Sequence, residues 1–529
     1  MRPGAGWLNS RLLGKATTMS MSRARPTVAE LVDAFVGTPS DQLDTEFQRL
    51  TSELWDDGVA TDLALPAAIE VVARFDQVDD ERKGHLAMLL GLLIETELPA
   101  TDGPIATAAR VGVDTYLQLW RGTRKGEPLS LALHYLLAHF PDERIRVLEI
   151  ATALDLDVDD YSRLERSLRR LDPDNPDVGR AFPSPVAWDM DEAEREFDRK
   201  FVAALSAEEI EASWNRDTRT VFGNTGAKAY WAVRHGSVPP IVSETPVPPR
   251  YAHPQDADIS IFERHSEVFR CPNCAGKLTF RPGTARCVDC STAYPITRGM
   301  LDLSSKAGEG FDRDEFLFQL AKMGSMGHFV ETYARPNFKR LSGFTWDAPV
   351  TPEIEFDYIQ SSVAPVTGPV LDIAAGPGAF TQALVDKFGS DRVIALDLVA
   401  AMLATLRERL PDTPAVIKSA TSLPFGDATL GAIMCWNGPH AFLDVAHEVI
   451  AEIGRCLRPG GTFTTYTFDN SSDPVYRYFL GSHHLPQPAG GLRMFDIEQF
   501  KGWLADAGLK IIEESGPGLA YFITAEKTH

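Results

Sequence analysis

Cysteine is scarce in this chain: six residues in 529. That excludes a disulfide-built scaffold. Long apolar runs are missing too. The longest, Leu86–Ile94, has nine residues against the roughly 20 a membrane-spanning helix needs, so no span and no membrane partner are expected. Lysine is rare beside arginine, 14 against 38, which suggests GC-rich coding and a bacterial source. Positive charge is short where it would matter for nucleic acid. Residues 26–238 carry 40 acids and 22 bases, net −18, and such a surface repels phosphate backbones. Residues 1–25 hold five bases and no acid. They lack the apolar segment of a secretory signal and read as a disordered basic leader, so the expected location is cytoplasmic. Hydrophobic residues make up 44% and charged residues 24%, ordinary for a globular chain, and the length suits about three domains.

Residues 26–238 read as an all-helical acidic domain. Apolar residues recur at helical spacing in Val28–Phe35, Leu65–Phe75, Leu86–Ile94, Ala106–Trp120, Leu129–Phe140 and Ile145–Leu154, with Asp41, Asp62 and Asp79 at cap positions. The helical hairpins resemble HEAT-type repeats without a clean period. Gly223-Asn-Thr-Gly-Ala-Lys228 lacks the spacing of a phosphate loop. Six prolines in 239–258 mark a linker and a boundary.

The span 259–305 carries the sharpest local pattern. Cys271-Pro-Asn-Cys274 and Cys287-Val-Asp-Cys290 form two C-x2-C pairs twelve residues apart. Each pair can point two sulfurs at one ion, and two pairs close a tetrahedral four-sulfur site suited to structural zinc. With Tyr294-Pro-Ile-Thr-Arg-Gly-Met-Leu-Asp-Leu303, this segment resembles the zinc ribbons that activate tRNA and protein methyltransferases. The order of ribbon then catalytic domain is similar to that of the large-subunit rRNA guanine methyltransferases.

After lid and linker helices over 306–354, residues 355–529 alternate strand and helix: strands at 370–373, 393–396, 415–417, 432–435 and 462–466, helices at 379–388, 400–410 and 445–457. This pattern predicts an α/β, doubly wound parallel sheet that binds ligands at the carboxyl ends of its strands. The first strand runs into Asp372-Ile-Ala374-Ala-Gly376-Pro-Gly378, and the second ends in Asp397. A glycine turn lets backbone approach a ligand, and an acid on the second strand can take both ribose hydroxyls. Leu423-Pro-Phe425, His440 with Asp444, and Leu457-Arg-Pro-Gly-Gly461 follow in order. Together these motifs resemble the class I S-adenosylmethionine (SAM)-dependent methyltransferases, with their Rossmann-like fold.

That resemblance implies SAM as cofactor. It assigns the methionine side to Asp372, Ala374, Gly376 and Gly378, the ribose to Asp397, and the adenine border to Leu398 and Met402. Ser419 and Thr421 stand where an adenine-binding acid is usual, Ala374 replaces a glycine, and Gly431 replaces an acid. Tyr333 resembles part of a lid over SAM. Asn437 joins the expected cofactor-binding residues, and Asn437-Gly-Pro-His440 loosely resembles the Asn-Pro-Pro-Tyr of amide nitrogen methyltransferases, one residue out of place and without the second proline. His440 is the candidate general base. His483 and His484, in a Pro/Gly/Ser-rich insertion at 471–491, are expected to be exposed.

The expected function is methylation, on nitrogen or oxygen, of a peptide or small-molecule natural product. The acidic domain would serve as a docking or dimer surface for a partner protein. An RNA methyltransferase is the alternative, a non-catalytic SAM-fold scaffold the next, and an NAD oxidoreductase the least favoured because it gives the later motifs no role.

Overall fold

The structure is a computed structural model and describes residues 26–172, 192–241, 258–304, 323–483 and 492–529. The basic leader, most of the proline linker, residues 305–322 and His484 lie outside the described residues. Eleven strands form one sheet: β1 Leu278–Arg281, β2 Thr284–Cys287, β3 Ala293–Thr297, β4 Met300–Asp302, β5 Val370–Ile373, β6 Val393–Asp397, β7 Ala415–Ile417, β8 Leu430–Trp436, β9 Leu457–Phe468, β10 Leu509–Ser515 and β11 Ala520–Lys527. Their order is β10-β11-β9-β8-β5-β6-β7-β4-β3-β2-β1. The six central strands, from β9 to β4, pair in parallel, and antiparallel pairs extend the sheet at both ends. The sheet is therefore mixed.

The cysteine-bearing segment is built into this sheet. Strand β4 pairs in parallel with β7, with Leu301 opposite Val416. Phe269 bridges to Phe425 and stacks on it at 5.3 Å, and the Arg270 N–H donates to the Pro424 carbonyl at 2.8 Å. The edge of β7 that a separate ribbon would leave unpaired is thereby covered.

Between residues 28 and 235 the described residues form helices joined by short connections, apart from the two-residue ladder Trp55–Asp56 with Val59–Ala60. Thr27 and Ser206 close capping boxes, and Asp79 and Asp157 cap their helices. Asp41 and Asp62 do not cap: the short helix at Ser40 begins from Pro39, and that at Ala64 from Leu63. Helix Asp80–Glu95 is buried from Gly84 onward, because it packs on Pro128–Leu137 and on the long helix Ala207–His235. A HEAT-like solenoid would stack each pair on its chain neighbours. Here the long helix returns from far along the chain to close a bundle.

That bundle holds part of the C-terminal half. Helix Pro474–Gly481 (the wedge helix) inserts Phe479, fully buried, against the long helix. A Cβ at Gly226 would lie 2.3 Å from the Phe479 ring, and one at Gly223 2.8 Å from the Phe479 carbonyl, so both glycines admit the wedge. The false phosphate loop is thus a groove for a phenylalanine. The Tyr478 hydroxyl donates to buried Glu95 at 2.8 Å, and Tyr135 donates to the other oxygen of Glu95. Asp473 accepts from Tyr230 at 2.8 Å and from Arg234 at 2.6 Å. One hydrophobic core runs from Leu31 through Phe479 to Trp436 and Val370 on the sheet.

Two predictions follow from this packing. Phe479→Ala should cost about 3–5 kcal/mol, and urea unfolding should remain a single transition because both halves share the core. Burial holds His134 and His265 down to about 4, against about 6.5 for an ordinary histidine. The unfolded chain takes up those protons before the native one, so each contribution to stability is present above pH 6.5 and is lost as pH falls towards 4. Asp372, pushed up to about 7, acts in the opposite direction. Denaturant midpoints measured from pH 7 to 4 should decline less steeply in His134→Gln.

Candidate functional site

Strands β5, β6 and β8 are neighbours and end on one side of the sheet. The chain leaves β5 through Ala374 (φ +55°), Gly376 (φ +56°) and Gly378 (φ +89°), and leaves β8 through Asn437 (φ +54°). Holding alanine in the left-handed region costs roughly 1–2 kcal/mol. The concave side of the turn is open at Gly376, where an added Cβ would meet nothing nearer than the Ala374 carbonyl at 4.0 Å. Gly438 lets the two turns meet, since a Cβ there would lie 2.9 Å from that of Ala374.

Asp397 braces this arrangement. Its Oδ2 accepts from the Gly376 N–H at 2.9 Å and its Oδ1 from the Val399 N–H at 2.8 Å. Burial raises its carboxyl above the usual carboxylate range, against the pull of those backbone bonds. Each oxygen keeps a lone pair for a hydroxyl donor. Asp372 sits deeper, only 1% exposed, and its Oδ2 accepts from the Thr381 hydroxyl at 2.6 Å. Burial, with the charge of Asp397 adding to it, pushes it up to about 7. Its carboxylate ties the strand end to helix Ala379–Phe388.

Leu398, Met402, Ser419 and Thr421 are half-buried beyond Asp397. The Ser419 and Thr421 hydroxyls are 2.8 Å apart. Met402 packs with Met326 and Phe329, so the helical segment from Met326 covers this side. Tyr333 lies in that segment's π-helical turn Val330–Ala334, and its side chain is outside the described residues. Gly431 has a packing cause: a Cβ there would lie 2.4 Å from the Val366 carbonyl.

On the β8 side, Asn437 Oδ1 and His440 Nδ1 are buried without hydrogen-bond partners. Burial holds His440 down to about 4, so its ring is neutral at physiological pH and one of its nitrogens can accept a hydrogen bond. It stacks on Phe338 at 5.6 Å and lies 5.8 Å from Phe468. His483 is buried at 6% exposure, because it follows the wedge helix into the bundle; it is not the exposed loop residue expected. Asp444 is exposed and pairs with Arg493 at 2.7 Å. The sequence did not single out Phe338, Phe468, Arg335 or Glu355. Only the four-residue spacing of Arg335 and Lys339 hinted at a shared helix face.

The four sulfurs of Cys271, Cys274, Cys287 and Cys290 lie within 4.8 Å of one another. Sulfurs of 271 and 290 are 3.6 Å apart and those of 274 and 287 are 3.4 Å apart. These spacings are too long for a disulfide and close to the roughly 3.8 Å edge of a tetrahedron with 2.3 Å zinc–sulfur bonds. Ala275 and Ser291, each directly after a C-x2-C pair, both turn through φ +59°. The donor set therefore fits zinc.

Known proteins resemble part of this chain. Residues 370–461 match the model of a methyltransferase domain family. An uncharacterized methyltransferase of Mycobacterium tuberculosis is 40% identical over 92 residues, which cover 17% of this chain and 36% of that protein. A trans-aconitate 2-methyltransferase of an Acidovorax species is 31% identical over 147 residues, covering 25% of this chain and 53% of that one. The chain thus spans between about a third and about half the length of these curated relatives. Among solved structures, the complex between the Haloferax volcanii Trm112 methyltransferase activator and a methyltransferase aligns with 38% of this chain and 97% of that one, at 16% identity and a TM-score of 0.31. Geranyl diphosphate C-methyltransferase of Streptomyces coelicolor, with S-adenosyl-L-homocysteine, aligns with 33% and 76%, at 15% identity and a TM-score of 0.27. Residues 370–461, from β5 to the start of β9, thus match a methyltransferase domain and hold the glycine turn, Asp397 and Asn437.

Proposed function

We propose that the chain is a SAM-dependent methyltransferase acting on a nitrogen, or next an oxygen, of a peptide or small-molecule natural product. The observation that carries this reading is the pairing of an open glycine turn braced by Asp397 with two buried, unpartnered polar atoms, Asn437 Oδ1 and His440 Nδ1, on a neighbouring strand end. The turn and Asp397 would hold the cofactor, with Leu398, Met402, Ser419 and Thr421 on its adenine side. Bound SAM supplies an electrophilic methyl group. The protein's own work is then alignment and exclusion of water. Asn437 Oδ1 can accept from an N–H or O–H and so orient it. Neutral His440 can do the same at Nδ1, which makes it an orienting group more than a proton acceptor. An amine in its neutral form needs no stronger base. Zinc at the four cysteines is structural in this reading, since four sulfurs leave no open position for water.

The acidic helical half, net −18 over residues 26–238, favours cationic substrates and disfavours RNA. The relatives named for trans-aconitate bring a carboxylate acceptor into consideration as an oxygen nucleophile. No described helix is long and apolar enough to cross a membrane. Cytoplasmic residence would keep the four clustered cysteines as thiols able to hold zinc.

Asp397→Ala removes both the ribose acceptor and the brace on Gly376, at a cost on the order of 1–3 kcal/mol. Calorimetry should show SAM affinity falling roughly 5- to 150-fold, and unchanged affinity would move the cofactor site elsewhere. Metal analysis of fresh protein should find one zinc per chain. Cys287→Ser should lose that zinc and lower the melting temperature, because the turn before β1 and the turn after β2 would no longer be tied together; a full-stability variant would sink the zinc assignment. Methyl transfer to RNA, with RNA binding that weakens steeply with salt, would replace the small-substrate reading.

A further inference from the structure

Glu355 is fully buried on helix Pro352–Ser362. Three donors meet on its carboxylate. Oε2 accepts from the Trp436 indole N–H at 2.8 Å and from Arg335, and Oε1 accepts from Lys339 at 2.6 Å. Lys339 also donates to the Val350 carbonyl at 2.7 Å. Arg335 and Lys339 are one turn apart on helix Arg335–Ser342 (the lid helix), so one face of it presents both cations to one acid. Trp436 is the last residue of β8, directly before Asn437.

The lid helix touches both halves of the site. The Arg335 guanidinium lies 4.4 Å from the centre of the Phe380 ring, in the first turn of the helix that follows Gly378. Between the two cations, Phe338 stacks on His440. The Trp436 and Phe380 rings are themselves 5.9 Å apart. Glu355 therefore fastens the lid to the end of β8, while the lid's own side chains rest on the cofactor turn's helix and on the acceptor loop.

We propose that Glu355 is a positioning residue that locks the lid helix over the site, so that cofactor retention and the shape of the acceptor side are set together. This rests on the methyltransferase reading. A buried acid with two cations and an indole cannot be replaced by an amide without loss. Glutamine offers one acceptor oxygen and turns an N–H pair towards the remaining donors, and breaking such a buried cluster is strongly unfavourable. The lid helix should then lift.

The test uses the full-length chain, with S-adenosylhomocysteine as probe. In Glu355→Gln, far-UV circular dichroism should be kept. Amide hydrogen exchange of the free protein should quicken at 335–342 and 437–445 and stay unchanged in the bundle helix Asp80–Glu95. Affinity for the probe should fall roughly 5- to 150-fold, the usual span of coupling between sites. Glu355→Asp, which keeps the charge on a shorter arm, should recover part of both. Should the glutamine variant not fold, Trp436→Phe removes only the indole donor and should raise exchange in the same two segments. Unchanged exchange there, or exchange raised uniformly across the protein, overturns the proposal. If the unaltered protein binds no probe, the methyltransferase reading fails, and the exchange pattern of the free variants still decides the role of Glu355.

Discussion

A single carboxylate spans the gap between two strand ends: Asp397, at the end of β6, accepts from the backbone of Gly376 beyond β5. Most of the site depends on this bond. It holds the turn in a left-handed path that Ala374 would resist on its own. The other oxygen accepts from the Val399 N–H, so one carboxylate holds both turns. Parallel pairing brings β8 to the same level, and Gly438 then lets the second turn settle against the first. The loop beyond β8 is held by the Asn437 N–H, which donates to the Tyr466 carbonyl at 3.0 Å, while Asn437 Oδ1 and His440 Nδ1 have no hydrogen-bond partner among the described residues.

The helical half contributes from a distance. Its central helices close around a wedge that belongs to the methyltransferase half, and the wedge in turn reaches the lid: the Tyr476 hydroxyl donates to the Ser342 carbonyl at 2.9 Å. Glu95 accepts from tyrosines on both sides of the junction.

Much of the site could be read in the sequence because it depends on local geometry. The glycine turn, the acid on β6 and the C-x2-C pairs each need particular residues at fixed spacing, and the strands from Val370 to Tyr466 end within a few residues of their expected bounds. What could not be read depends on distant contacts. Nothing near Gly223 and Gly226 announces Phe479, more than 250 positions away. Nothing near Met300 announces that its strand will pair with Ala415. Asp372 has the residue type its motif calls for, yet burial and Thr381 turn it inward. Glu355 sits in an ordinary amphipathic segment, and only the fold brings Arg335, Lys339 and Trp436 to it.

The wedge also bears on synthesis. A ribosome makes the bundle helices, through His235, well before it makes Phe479. Until then the groove at Gly223 and Gly226 stands empty, and Glu95 lacks one of its two tyrosine donors. The ribbon strand β4 likewise waits for β7, more than 100 residues later. Both late closures join segments far apart in sequence, which makes for slow folding and a prolonged exposure of apolar surface. The nascent N-terminal half is therefore a natural client for a chaperone, and a chain that stops short of residue 479 leaves its own bundle unfinished.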